Sequence, residues 1–471
     1  MMLGRPSAES VVPWFSTGLL VILNIAGFAF TLAAFYPGVI TVDALAVYRD
    51  VEHGFVGDWQ SPVMGKVWGL IDPLARTFID LPAGVAGATV SIFLLTVTLF
   101  WLGFAVLSLS LTHDSIALAI LVPLLALSPP AFVMAGVIWR DILLAGAWLL
   151  AGALTFATVN GSRWLSLTSR SIALLLLAFG LLLRPNALFA APFVLAYILW
   201  PNAFRLKRAI LLYPAAVIAG YGLVQFVYYG LLEAKRQHIL HAVLVFDLGA
   251  ITSITKENQF PGTWSEKEFE LLKSGCYDPR HWDTYWRIPP CQFVMGNRLE
   301  RDGVFGTAEL VEAWINAVIS HPLAYAQHRL SHFWAFLTSP HSAVYLQAIG
   351  KDVPMYPHNP SFMWLYQTTD ALKETVIFRP LTWVAVVLAT LVLSWRYRSI
   401  PAGSYTVAMS SSAIAYIATF LVFGVATDYR YVYWVVLVGL TCAVMTVLAL
   451  QTRSTRVQKQ DFSLPHPEEK A

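Results

Sequence analysis

The chain has 471 residues, 57% of them hydrophobic and 13% charged, with 31 Lys and Arg against 28 Asp and Glu for a formal net charge of +3. Charge at about half the usual ~25% excludes an ordinary soluble domain, and the near-balance excludes the basic field by which nucleic-acid binders act, so no nucleic-acid partner is expected. At ~20 residues per span the apolar residues suffice for about ten membrane helices, so an all-α polytopic membrane protein is predicted.

Ten apolar runs follow in chain order: 12–35, 83–110, 115–130, 141–159, 171–184, 187–200, 209–231, 376–395, 402–424 and 431–450. The first exceeds a signal peptide's core and lacks a small-residue cleavage site, so it is expected to be a retained helix. The segment from Pro62 to Ile79 is apolar but carries Lys66, Asp72 and Arg76, which suits an interfacial position. Arg184-Pro185-Asn186 separates two short runs as a break at one membrane face.

Lys and Arg set the orientation. Arg163 and Arg170, then Arg205, Lys207 and Arg208, then Arg396 and Arg398, then Arg453, Arg456 and Lys459 all fall on one side. This predicts two cytoplasmic termini, in what is expected to be a bacterial inner membrane. Residues 36–82, 232–375 and 425–430 then face outward. The expected division is an N-terminal transmembrane module 1–231 with its first outer loop 36–82, and an extracytoplasmic, mostly helical domain 232–375 inserted between helices 7 and 8. C-terminal helices 376–451 and a cytoplasmic tail 452–471 follow.

The insertion, about 144 residues, is too long for a connector. It holds Pro289-Pro290, Tyr356-Pro357-His358-Asn359-Pro360 and a charged stretch, Lys256 to Lys273, that reads as solvated loop. Thr307 to Leu337 has helical spacing around His321-Pro322, with Leu310, Trp314, Val318, Leu323 and Tyr325 as expected buried positions. Cys276 and Cys291 share this polar stretch and can pair in an oxidising compartment, whereas Cys442 reads as a packed thiol.

Candidate chemistry gathers at the outer ends of the spans. After the first helix, Pro37-Gly38 ends the span, Thr41 can cap a short helix, and Asp43, Val47 and Asp50 share one face of it. Asp43 beside an apolar wall is expected to have raised basicity and to accept a proton from a hydroxyl; in a first helical turn it also complements the helix dipole. Gly57-Asp58-Trp59-Gln60 follows in the same loop. Trp139-Arg140-Asp141, Arg184 and Asp428-Tyr429-Arg430-Tyr431 place three arginines at outer ends, against the usual bias, where guanidinium groups could hold phosphate oxygens or serve as interfacial anchors. His238 and His241, and His328 and His332, have helical spacing but no zinc pattern, and are expected to be interfacial. No phosphate loop or dinucleotide fingerprint is present in the sequence.

The order of these features resembles the integral-membrane glycosyltransferases of the GT-C type. It is carried by Thr41-Val42-Asp43-Ala44, Asp58-Trp59-Gln60-Ser61-Pro62, Trp139-Arg140-Asp141, Leu183-Arg184-Pro185-Asn186-Ala187, His321-Pro322 and Asp428-Tyr429-Arg430-Tyr431. The resemblance implies an outward-facing site, a polyprenyl-phosphate sugar donor and an envelope glycan, lipid or protein acceptor. It implies Asp43 as general base, with Asp58 as the alternative, and Arg140, Arg184 and Arg430 on the donor phosphate. Trp59, Asp141 and Asp428 would support them. Val42 and Ala44 flank Asp43 where relatives carry an acid pair, so a divalent cation is admitted without assigned ligands. A transporter or flippase of a lipid-linked precursor, or a non-catalytic envelope assembly protein, are the other readings; the first calls for charges in mid-span, of which few are visible.

Overall fold

The computed structural model describes residues 14–339 and 359–461, with side chains from 16 to 452 of these. Tyr356, Pro357 and His358, and the tail beyond 461, lie outside the described residues. Among the described residues there are helices and isolated backbone bridges but no β-strand.

The first half of the chain forms α1 (Trp14–Phe35), α2 (Val42–Glu52), α3 (Pro62–Phe78), α4 (Gly84–Ser110), α5 (Ile116–Ala126), α6 (Pro129–Phe132), α7 (Arg140–Ala157), α8 (Arg163–Leu183), α9 (Ala191–Leu199) and α10 (Leu206–Gln225). A π-helical turn, Phe226–Leu231, extends α10. The second half forms α11 (His241–Thr255), α12 (Glu266–Ser274), α13 (Ala308–Ser320), α14 (Pro322–Thr338), α15 (Pro360–Leu372), α16 (Pro380–Ser394), α17 (Pro401–Phe423) and α18 (Tyr433–Asp461).

Among the described residues eight helices are long and apolar enough to cross a membrane: α1, α4, α7, α8, α10 with its extension, α16, α17 and α18. Two of the ten expected runs are shorter. Run 115–130 becomes α5 and α6, interrupted after Ala126 and entered again at Pro129-Pro130. Run 187–200 becomes a 3₁₀ turn, Pro185–Phe189, and α9, because prolines at 185 and 192 restart the helix. The charges in the eight spans sit in their first or last turns, apart from Arg170.

Lipid tails are as apolar as the helices, so close packing and buried polar contacts hold such a bundle together. A side chain at Gly27 would lie 2.0 Å from the Trp101 ring, and one at Gly180 would lie 2.3 Å from Trp148 Nε1. Each glycine thus admits a tryptophan whose N–H finds an acceptor: Trp101 on Thr31 Oγ1 at 2.8 Å and Trp148 on the Leu177 carbonyl at 3.1 Å. Trp148 in turn meets Trp434 edge to face, joining α7 to α18.

Residues 242–324 build a second hydrophobic core from α11, α12, α13 and the segment between Cys276 and Cys291. The two cysteines are joined in a disulfide. Buried Asp247 on α11 ties this core together: it pairs with Arg329 at 2.7 Å and His328 at 3.2 Å, and accepts from Trp314 Nε1 at 2.8 Å. His328 and His332 are therefore fully buried rather than interfacial. Lys256 to Lys273 is not all loop, because Ser265 and Glu268 form a reciprocal capping box that starts α12. Leu323 is 83% exposed instead of buried. The break at His321-Pro322 resets the helical phase, and Ala324, His328, His332 and Phe336 take the inner face at four-residue steps.

Candidate functional site

The ends of five helices meet on one side of the bundle: the C-terminal ends of α1, α8 and α17, and the N-terminal ends of α7 and α18. Two main-chain links bring the segment after α1 onto the segment before α7: Val39 N–H donates to the Gly136 carbonyl at 3.0 Å, and Ile138 N–H to the Val39 carbonyl at 2.9 Å. Thr41 then caps α2, its hydroxyl oxygen accepting from Ala44 N–H at 3.2 Å. Asp43 is thereby fixed in the first turn, facing the mouth of α7.

A cavity of about 500 Å³ opens at this junction, and Asp43, Arg140, Arg184 and Arg430 all line it, with Trp59 and Asp428. The arginines differ in their partners. Arg184 Nε donates to Asp141 Oδ1 at 2.6 Å, in a pair whose side chains are 11% and 2% exposed. Arg430 bridges two acids, through Nη1 to Asp43 and through Nη2 to Asp428 at 2.9 Å. Arg140 donates to the Trp59 carbonyl at 3.4 Å, and among the described residues it has no carboxylate in ion-pair contact. Tyr431 lies between two guanidinium groups, 4.7 Å from that of Arg184 and 5.0 Å from that of Arg430.

The expected raised basicity of Asp43 is reversed. Burial opposes its ionisation, but the contact with Arg430 and the charges of Arg140 and Arg184 outweigh burial and hold the carboxyl below its ordinary range. Arg184 is pushed up from its ordinary value, because Asp141 more than offsets the effect of burial, and it stays protonated.

Asp58 does not line the cavity. Its Oδ1 accepts from Gln237 N–H at 2.6 Å and its Oδ2 from the Tyr229 hydroxyl at 2.7 Å, clasping the first loop to the chain after α10. Lys235 N–H donates to the Val56 carbonyl alongside. Each carboxylate oxygen thus accepts a hydrogen bond within this clasp. His238 and His241 face each other at 5.3 Å, and His241 Nδ1 accepts from Gly306 N–H at 3.1 Å. Among the described residues no group of three or more His, Cys, Asp or Glu is arranged to hold a metal ion.

One wall of the cavity escaped the sequence reading. Trp282, Asp283, Trp286 and Arg287 line it from the loop that the Cys276–Cys291 disulfide closes. Trp282 N–H donates to the Val425 carbonyl at 2.9 Å, so this loop grips the strand of chain leading to Asp428 and Arg430. Arg329 donates to the Gly424 carbonyl at 2.8 Å from behind. The signal was the cysteine pair, which brackets the loop without revealing which way it faces. Apolar side chains complete the lining: Ile239, Leu240 and Val243 from the start of α11, and Phe420 and Phe423 from the end of α17. The cavity thus offers a cationic floor, a carboxylate beside it, and an apolar flank.

No family model matches the chain, and no curated protein sequence matches it. Among solved structures it is similar to the archaeal oligosaccharyltransferase AglB from Archaeoglobus fulgidus, determined in complex with an inhibitory peptide and a dolichol-phosphate. The identity is 10% and the TM-score 0.39, over 96% of this chain and 53% of that one. The chain spans about half the length of that protein.

Proposed function

We propose that this protein is a membrane glycosyltransferase that moves a sugar from a polyprenyl-phosphate donor to a cell-envelope glycan, lipid or protein. The observation that carries the reading is the single cavity shared by Asp43 and three arginines, one of which, Arg140, has no carboxylate in contact among the described residues. A phosphate needs fixed positive charge, and its prenyl tail needs apolar surface; the floor and flank of this cavity supply both. The basic residues of the short connections, at the starts of α8 and α10 and between α16 and α17, lie at the opposite helix ends, which supports an extracytoplasmic site. The start of α11 and the 281–288 segment, both within the proposed outer domain, line it from the other side.

In the proposed reaction the acceptor's nucleophilic oxygen or nitrogen attacks the anomeric carbon while Asp43 takes its proton. The bond from that carbon to the phosphate oxygen breaks, and its electron pair leaves on polyprenyl phosphate. Arg140, Arg184 and Arg430 hold the developing charge as fixed cationic groups. Asp58 positions the loop, Trp59 presents its carbonyl to Arg140, and Asp141 and Asp428 orient Arg184 and Arg430.

The test is reconstitution in lipid nanodiscs with a polyprenyl-phosphate sugar and an envelope acceptor. Release of polyprenyl phosphate coupled to acceptor glycosylation is expected, with at least a hundredfold loss in Asp43→Asn, within the ~10²–10⁴-fold range of a general base. Undiminished transfer by Asp43→Asn would remove Asp43 as the base. Passage of the intact lipid-linked sugar across vesicles, without sugar release, would replace the reading by a flippase.

A further inference from the structure

Arg430 is held on several sides by groups other than Asp43. Its Nη2 pairs with Asp428 at 2.9 Å and donates to the Tyr431 hydroxyl at 3.2 Å, and its guanidinium carbon lies 4.5 Å from the centre of the Trp139 ring. Its side chain is 13% exposed, against 36% for Asp43. Among the described residues the Asp43 carboxylate finds its hydrogen-bond partner in Arg430. The backbone around Asp43 is pinned by the Val39 links and the Thr41 cap, so its freedom is side-chain rotation between staggered wells. Of the two partners, the guanidinium is fixed and the carboxylate is free to leave.

The charges around the cavity balance, with Arg140, Arg184 and Arg430 set against Asp43, Asp141 and Asp428, and Arg287 paired with Asp283. Asp141 is buried in its pair with Arg184, and Asp428 holds Arg430 through Nη2, a contact separate from the one Asp43 makes with Nη1. Asp43 is the acid that can be exchanged for another anion.

We propose that Asp43 serves as a built-in stand-in for the donor's phosphate, occupying Arg430 until an incoming phosphate displaces it. This rests on reading the arginine cluster as a phosphate site. Displacement has a chemical consequence: a carboxylate bound to a guanidinium is a poor base, and one turned away from it regains basicity. The base thus becomes competent when the donor is seated and is held inactive before. Asp428 is the positioning residue that makes the exchange possible, because it keeps Arg430 in place once Asp43 has turned away.

The experiment is equilibrium binding of farnesyl phosphate to the full chain in detergent, with farnesol as the tail-only reference and inorganic phosphate as a second probe. Asp43→Asn is expected to bind farnesyl phosphate roughly tenfold more tightly than the native chain. The gain should vanish in Asp43→Asn combined with Arg430→Gln. Asp428→Asn removes the same formal charge but loosens Arg430, and is expected to give no gain. A gain with farnesyl phosphate alone assigns the anion to a prenyl lipid, and a gain with both probes assigns it to phosphate in general; either supports the proposal. Monodisperse Asp43→Asn and Asp43→Ser that bind no better than the native chain overturn it, as does an equal gain from Asp428→Asn. If farnesyl phosphate binds none of these proteins, or binds without regard to Arg140→Gln, the phosphate reading itself fails and this proposal with it.

Discussion

Arg140 and Arg184 stand in one cavity at the ends of adjacent helices, yet replacing each by Gln is expected to do different things. In Arg184→Gln, Asp141 loses its 2.6 Å partner and keeps only the 3.4 Å contact from the Tyr416 hydroxyl, while its side chain stays 2% exposed with an Oδ2 that has no hydrogen-bond partner among the described residues. Breaking a buried pair from one side costs about 3–5 kcal/mol, so this variant should be strongly destabilised. Among the described residues Arg140's one hydrogen bond is the 3.4 Å contact with the Trp59 carbonyl, at the weak end of hydrogen-bond geometry, and its replacement should cost about 0.5–1 kcal/mol. For a bound phosphate the order inverts. Arg140 is the guanidinium without a carboxylate, and a charge-assisted bond worth about 1.5–3 kcal/mol corresponds to roughly 10–100-fold weaker binding of farnesyl phosphate in Arg140→Gln. Thermal unfolding in one detergent, set beside equilibrium binding, reads both effects. Asp141→Asn placed on Arg184→Gln should recover most of the lost stability, since the stranded charge is gone. Equal destabilisation by the two single variants, or unchanged affinity in Arg140→Gln, would refute the assignment of the two arginines to different tasks.

Three further outcomes are expected. Asp58→Asn should keep turnover within a few-fold of native, unlike Asp43→Asn, while losing about 1–2 kcal/mol and speeding hydrogen exchange at 55–60 and 232–238, because the clasp to Gln237 and Tyr229 is weakened. Replacing both Cys276 and Cys291 by Ser should cost about 3 kcal/mol by the chain-entropy estimate for a loop of this size, raise proteolytic cleavage within 277–290, and weaken farnesyl phosphate binding through the wall that carries Trp282 and Arg287. Burial holds the His332 imidazole down to about 3, against the partial support of its bond to the Pro279 carbonyl. The unfolded chain takes up that proton near pH ~6.5, so stability falls as pH drops from there toward 3, by up to about 1.4 kcal/mol per unit. A melting temperature that falls with acidification in the native chain but less so in His332→Gln is the expected reading.

Much of the architecture was legible because lipid imposes simple rules. Long apolar runs became long helices, and the arginines at the far ends from the basic connections came together, as charged groups must when their surroundings are apolar. Features that depended on distant parts of the chain were not legible. Run 187–200 has the composition of a span, but its prolines limit it to nine residues of α-helix. The 281–288 segment has no local signature of a cavity wall. Its place is set by the disulfide and by a hydrogen bond to Val425, a residue more than a hundred positions away. Leu323 sits out of phase because a single His-Pro step rotated the helix that follows.

The basicity of Asp43 failed for a reason that bears on reading such sites in general. An acid beside an apolar wall has its ionisation suppressed only if nothing cationic is near, and a linear sequence places Arg430 at the other end of the chain from it. Residue types at helix ends therefore locate charge without revealing which charges neutralise each other. In a medium that penalises every unpaired ion, pairing carries the functional information. Among the described residues Arg184 pairs with Asp141, which also accepts from the Tyr416 hydroxyl, Arg430 with Asp43 and Asp428 has one acid to spare, and Arg140 has no acid in contact. A cluster that needed only to be stable would pair each arginine with one acid. The uneven distribution seen here leaves one cation open and one carboxylate replaceable, which is the arrangement that an arriving anion would complete.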